Sequence, residues 1–379
     1  MRLARWLWLG VVAIASVFLL ARGQAEAASW AVADLRTGAV LSGDQVDRPE
    51  PAGATYQLLV VLSALEQAKL GMLPLDAPVS VDAQTIEEFG RKPGELLKLA
   101  AGRPYVLGDL LKAVLLARSD LAAVAAAEAM WGSRDNAVEA LNERTRRLGL
   151  TVTRWSVLSS DAADNVTSAR EVSRLVACLW REHEEVRQWG TLRGFPFDQG
   201  RIVLANNHLP PSDVGVWAFY DRFRDVRGKR KSYQRLGVLV SEREGMALGV
   251  VQLGVEELAN GVPRMVELMR SALAEYEPVT IVREGESLNV RVLVDGGLES
   301  SIVPTAARDL KIVRRKGSEP RFQMLFQVPS VVTAPIAKGE QLGEIVVQFE
   351  DNVIGVVPAV SPKSVSSQGV RSAGTLRAR

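Results

Sequence analysis

Nucleophilic, acid–base and metal chemistry draw on a few residue types, and this chain of 379 residues is short of them, with two histidines and one cysteine. A zinc site on a cysteine framework, a disulfide scaffold and a multi-histidine centre all need more ligands than that, so no metal or other cofactor is expected. His183 stands in Arg181-Glu182-His183-Glu184-Glu185, which lacks the second histidine of a zincin helix and reads as charged surface. His208, in Asn206-Asn207-His208-Leu209, reads as part of a turn. A serine three residues before a lysine would put nucleophile and base on one helix face, yet none of the lysines has one at that spacing. Ser63 and Ser119 have no Lys or His at a helix-neighbour position and read as packed or solvated hydroxyls. Cys178 lies in an apolar helical stretch and reads as a buried thiol. Asn165-Val166-Thr167 fits a glycosylation sequon by chance.

The strongest local anomaly runs from Arg222 to Lys231, where six basic residues face one acid. It is either a solvated loop or a fork of cations suited to carboxylates or phosphates. The chain as a whole is balanced, with 46 Lys and Arg against 44 Asp and Glu, which disfavours a nucleic-acid binder.

The elements that would carry these residues follow from periodicity. Trp30 to Asp34 and Ala39 to Leu41 read as a hairpin about the turn Arg36-Thr37-Gly38. Helical spacing then dominates over Leu58–Leu70, Leu107–Ala117, Leu121–Met130, Asn136–Leu148 and Ala169–Trp180. Strands return at Leu236–Ser241 and Met246–Leu253, and a helix over Pro263–Tyr276 closes an α+β domain spanning 28–276. Short strands at Val279–Arg283, Ser287–Val294, Leu310–Arg314, Arg321–Val328 and Glu344–Glu350 predict a small all-β domain over 277–360. Residues 361–379 carry four positive charges, no negative ones and few large aliphatics, and read as a basic disordered tail.

At the other end, Arg2 and Arg5 precede an apolar run from Trp6 to Ala21, then Ala25-Glu26-Ala27. This is the form of a secretory signal, residues 1–27, which directs the rest to the periplasm or cell envelope. Membrane attachment, if any, falls to that segment left uncleaved, because the tail is too poor in large apolar groups to lie on a bilayer.

The layout and several strings together resemble the low-molecular-weight penicillin-binding proteins, the D-alanyl-D-alanine carboxypeptidase family related to serine β-lactamases. Asp34-Leu35-Arg36-Thr37-Gly38-Ala39-Val40-Leu41 resembles its first hairpin. Pro51-Ala52-Gly53-Ala54-Thr55-Tyr56 stands where the family has Pro-Ala-Ser-x-Thr-Lys. Leu115 to Ala123 resembles the segment holding Ser-x-Asn, and Ser168-Ala169-Arg170-Glu171 a following helix start. Ala334-Pro335-Ile336-Ala337-Lys338-Gly339-Glu340-Gln341-Leu342-Gly343 resembles part of the C-terminal β-domain. The resemblance implies a transpeptidase-type domain, an antiparallel sheet with a helical subdomain, followed by a β-sandwich.

It also implies a site, from which this sequence departs. The nucleophilic serine and its lysine correspond to Gly53 and Tyr56, Ser-x-Asn corresponds to Arg118-Ser119-Asp120, and Lys-Thr-Gly is placed at Val226-Arg227-Gly228. Glycine has no nucleophilic atom, and a phenol with a pKa of about 10 is no ready base at neutral pH. No family-type catalytic residue is therefore expected. Arg227, Lys229 and Arg230 are the candidate ligand-binding residues, for a peptidoglycan stem peptide or another anionic wall polymer. Three readings stand: an inactive homologue that binds stem peptides or an envelope protein partner, an active carboxypeptidase using an unconventional nucleophile such as Ser119, and a purely structural subunit.

Overall fold

The computed structural model describes residues 28–206, 208–221, 223–224, 232–256, 258–319, 322–349 and 352–368. The expected signal segment, 1–27, lies outside them, and so does the basic stretch 225–231. Among the described residues no helix is long and apolar enough to cross a membrane.

An antiparallel sheet organises the first domain. Its strands are β1 (Ser29–Asp34), β2 (Val40–Asp44), β3 (Trp217–Tyr220), β4 (Phe223–Arg224), β5 (Ser232–Arg243) and β6 (Met246–Val255). Their order is β4-β5-β6-β1-β2, with β3 also paired to β5, where Gly237 faces Tyr220 and Val240 faces Trp217. Both faces are covered, as the strand pattern requires. Along β6, Ala247, Val251 and Leu253 point into one core, while Met246, Leu248 and Val250 point into another.

The larger core lies on the helical side. Helix α1 (Thr55–Lys69) is buried all round from Thr55 to Leu65, the mark of a central helix rather than a surface one. Around it stand α2 (Ala83–Phe89), α3 (Leu107–Ala117), α4 (Asp120–Trp131), α5 (Arg134–Arg147), α6 (Ala169–Glu182) and α7 (Glu184–Gly190). Their starts are set by polar caps: the Asp82, Ser119, Ser133 and Ser168 side chains accept from backbone N–H groups of their first turns. Glu171, three residues after Ser168, turns outward from its helix and accepts from Val152 N and Thr153 N, at 2.8 and 2.7 Å. Asn165 is fully buried and holds Ser156 N and the carbonyls of Val157 and Ser159, so the sequon is a structural tie. Helix α8 (Leu258–Glu275) covers the opposite face of the sheet. It starts before the expected Pro263, which falls within its second turn.

The C-terminal domain is all-β. Its main strands are β7 (Tyr276–Val282), β8 (Val292–Asp295), β9 (Leu310–Arg315), β10 (Gln323–Gln327), β11 (Val331–Thr333), β12 (Gln341–Phe349) and β13 (Asn352–Val360). The longest pairing, β12 with β13, includes a strand that sequence periodicity missed, because Gly355 and Pro358 interrupt its apolar run. The two domains are tied directly: Val313 of β9 packs in the α8-side core, and Tyr276 Oη donates to Leu41 O at 2.9 Å.

Residues 361–368 depart from the expected tail. Val365 is buried in the second core of the β-domain and bonds in both directions with the Ile336 backbone. One correctly placed aliphatic outweighs a polar composition when a groove is waiting for it. Val365→Ala is therefore expected to destabilise the β-domain by about 1–3 kcal/mol, read by denaturant unfolding.

Candidate functional site

Helix α1 begins without a local side-chain cap, since Ala54 occupies the N-cap position. The cap arrives from the sheet. Asp221, directly after β3, directs its carboxylate at the helix start and accepts from Ala54 N at 3.1 Å. Its other oxygen accepts from Arg235 N at 2.8 Å and Leu236 N at 3.1 Å. Burial pushes the Asp221 carboxyl up to about 6, against the downward pull of those three N–H donors.

This carboxylate decides what position 53 can be. Gly53 has φ +54°, and a Cβ added there would stand 2.1 Å from Asp221 Oδ2 and 2.9 Å from Arg235 Cβ. Any side chain would need a left-handed backbone and would collide with a group fixed by three hydrogen bonds. The space beside the backbone is already filled.

One turn along, Tyr56 is completely buried and donates to Asp120 Oδ1 at 2.6 Å. The same oxygen accepts from Gln57 Nε2 at 2.7 Å and Ser160 Oγ at 2.9 Å, while Lys92 Nζ lies 3.6 Å from Oδ2. Burial, and then the Asp120 charge, push the Tyr56 phenol well above its ordinary range, so it stays a neutral donor. Ser119 is the N-cap of α4: its Oγ accepts from Ala122 N at 3.0 Å and the residue is 1% exposed. Arg118 has a left-handed backbone at φ 52°, its carbonyl accepts from Gln57 Nε2 at 3.2 Å, and its guanidinium lies 5.7 Å from the Tyr220 ring. His208 meets the same ring edge-on at 4.3 Å. Arg235 donates to Ala162 O at 3.0 Å, joining the sheet to the loop that carries Ser160.

The expected site residues thus separate. Tyr56 and Asp120 are bonded, and Arg118 reaches the same group through Gln57. Val226, Arg227, Gly228, Lys229 and Arg230 lie outside the described residues. The sheet residue that meets Gly53 is Asp221, which sequence reasoning missed; an acid directly after the apolar run Trp217–Tyr220 was the available signal. A cavity of about 870 Å³ lies beside α2 and the α4–α5 turn, and another of about 670 Å³ at the domain junction.

A family profile described as D-alanyl-D-alanine carboxypeptidase, peptidase S11, matches residues 16–210, half of the chain. This chain belongs to the D-alanyl-D-alanine carboxypeptidase family. A second profile, the C-terminal domain of penicillin-binding protein 5, matches 276–367. The D-alanyl-D-alanine carboxypeptidase DacF of Bacillus subtilis is 22% identical over 352 residues, covering 91% of this chain and 87% of that protein. DacC of Escherichia coli is 23% identical over 350 residues, covering 91% and 85%. Among solved structures, a peptidoglycan synthesis regulatory factor (PBP3) from Streptococcus pneumoniae matches with TM-score 0.74 at 17% identity, covering 89% of this chain and 98% of its own. Penicillin-binding protein 5 from Haemophilus influenzae matches with TM-score 0.62 at 18% identity, covering 89% and 97%. These likenesses establish the carboxypeptidase fold and its β-domain for this chain.

Two outcomes test this geometry in the carboxypeptidase-like domain. Gly53→Ser should cost at least about 2 kcal/mol, and the double variant Gly53→Ser/Asp221→Ala should be more stable than the sum of the two single effects by about 1 kcal/mol or more in a double-mutant cycle. The second is a pH dependence. A carboxyl near 6 in the folded state and near 4 when unfolded binds its proton more tightly in the fold. Its contribution to stability is present below about pH 4 and lost as pH rises through 6, on the order of 3 kcal/mol. Asp221→Asn should remove that component from the pH profile of chemical unfolding.

Proposed function

We propose that this chain is a catalytically inactive D-alanyl-D-alanine carboxypeptidase homologue of the bacterial envelope, exported by residues 1–27, which acts by binding. Peptidoglycan stem peptides are the ligand class that the family points to. The observation carrying this reading is the Asp221 carboxylate in the space where a side chain at position 53 would begin. At the positions that the resemblance gives to nucleophile and base stand a glycine and a neutral, fully buried phenol already bonded to Asp120. Recruitment of Ser119 as an alternative nucleophile is opposed by its burial and its capping bond. Without an attacking group, only binding and oxyanion stabilisation remain of such a mechanism, a loss on the order of a millionfold in related triad enzymes.

A protein partner is the second reading, and one observation favours it. Strand β10 ends its sheet, and Met324, Leu325 and Phe326 are consecutive and each about two-fifths exposed, so both faces of an edge strand present apolar side chains.

Incubation with fluorescent penicillin should leave no covalent label on the intact chain; a labelled serine would sink the inactive reading. In peptidoglycan pull-down, Arg227→Ala with Lys229→Ala should reduce the bound fraction several-fold. Unchanged retention would remove those residues as the ligand contact, and absence of any retention would favour the protein partner.

A further inference from the structure

A separate group of side chains gathers where α1 passes the α6–α7 junction. Glu66 comes from the last turns of α1, Glu182 from the end of α6, and His183 is the single residue between α6 and α7. One carboxylate oxygen of each glutamate and one ring nitrogen of His183 all lie within 4.8 Å of one another. His183 occupies the N-cap position of α7 but makes no side-chain capping bond. It is 4% exposed, and its Nε2 is buried with no hydrogen-bond partner. A buried imidazole nitrogen without a partner is destabilising, so its place beside two carboxylates points to a ligand that would satisfy it.

We propose that Glu66, Glu182 and His183 form a binding site for a zinc-type divalent transition metal that staples α1 to the α6–α7 junction. Imidazole nitrogen and carboxylate oxygen are both donor types that such an ion accepts, and three protein donors leave the remaining position to water. Bonds of about 2.0–2.2 Å bring ligand atoms to roughly 3.4 Å apart around a tetrahedral ion. With all three atoms within 4.8 Å, the spacing has at most about 1.4 Å to close. Both glutamate side chains are partly exposed, 29% and 43%, and are free to close that gap by rotamer adjustment.

Positive side chains also face this group, Lys69 and Arg144 acting on His183. Arg144 pairs with Oε1 of Glu66 and Arg181 with Oε1 of Glu182, and Cys178 also hydrogen-bonds Glu182, so an ion competes with these partners for the carboxylates. These arginines also set the competing arrangement, a metal-free ion-pair cluster. Cys178, one turn before Glu182, is not among the ligand atoms that gather within 4.8 Å. Hard cations such as magnesium should bind poorly, since they require octahedral oxygen shells.

The test uses the full exported chain, stripped with chelator and titrated with zinc ions by calorimetry and by thermal unfolding. One zinc per chain and a rise in the unfolding midpoint are expected, with no response to magnesium. His183→Gln and Glu66→Gln should each weaken binding at least tenfold. His208→Gln, at the other of the two histidines, should leave it unchanged. Glu66 is partly exposed, so its variant keeps the test valid if the His183 variant does not fold. No saturable binding, binding that survives Glu66→Gln at full affinity, or loss of binding in His208→Gln would each overturn the site.

Discussion

The Asp221 carboxylate sits where three segments converge: the start of the central helix α1, the end of β3, and the opening of β5. Each contributes backbone N–H donors or steric walls that no local partner satisfies. A single side chain answers Ala54, Arg235 and Leu236 together, and in a buried setting these charge-assisted bonds are worth far more than at a surface. The helix dipole adds to them at the α1 end. The requirement that position 53 be glycine and the left-handed turn into α1 both follow from where this carboxylate lies.

The neighbouring polar network has the same character. Asp120 is shared by Tyr56, Gln57, Ser160 and Lys92, so one acidic side chain ties α1 to α4 and to the loop before α6. Such a group stabilises through satisfied members, and here each donor finds the same acceptor, although Gln57 Oε1 is buried without a partner. At this seam the tyrosine and aspartate are bonded to each other, and Arg118 and Arg235 link the neighbouring loops through backbone carbonyls.

The β-domain is coupled to this body through buried contacts rather than a linker alone. Asp34, at the end of β1, accepts from Arg36 N at 3.0 Å and Thr37 Oγ1 at 3.1 Å, and more distantly from Val313 N in β9. Burial raises its carboxyl above the usual range. With Val313 packed into the α8-side core, the two domains share part of one interior. The ordered return of 361–368 to the sandwich shows the same preference for burying an available aliphatic.

Much of this was legible in the chain itself. Helical and strand periodicity located α1, α3 to α6, β1, β5 and β6 to within a few residues, because each buries a repeating face and the repeat is written locally. The family, and the lack of a serine–lysine pair, are likewise properties of residue type and spacing. Short or interrupted elements such as α2, α7, β11 and β13 carry too few periods to be read that way. Composition also misjudged 361–368, where the position of Val365 mattered and the average did not. What only tertiary structure decided was which distant side chains share a space. Asp221 lies 168 positions from Gly53, and Glu66 more than a hundred from His183. Nothing in local spacing encodes their contact, because it is made by the packing of a sheet edge or a helix junction against α1.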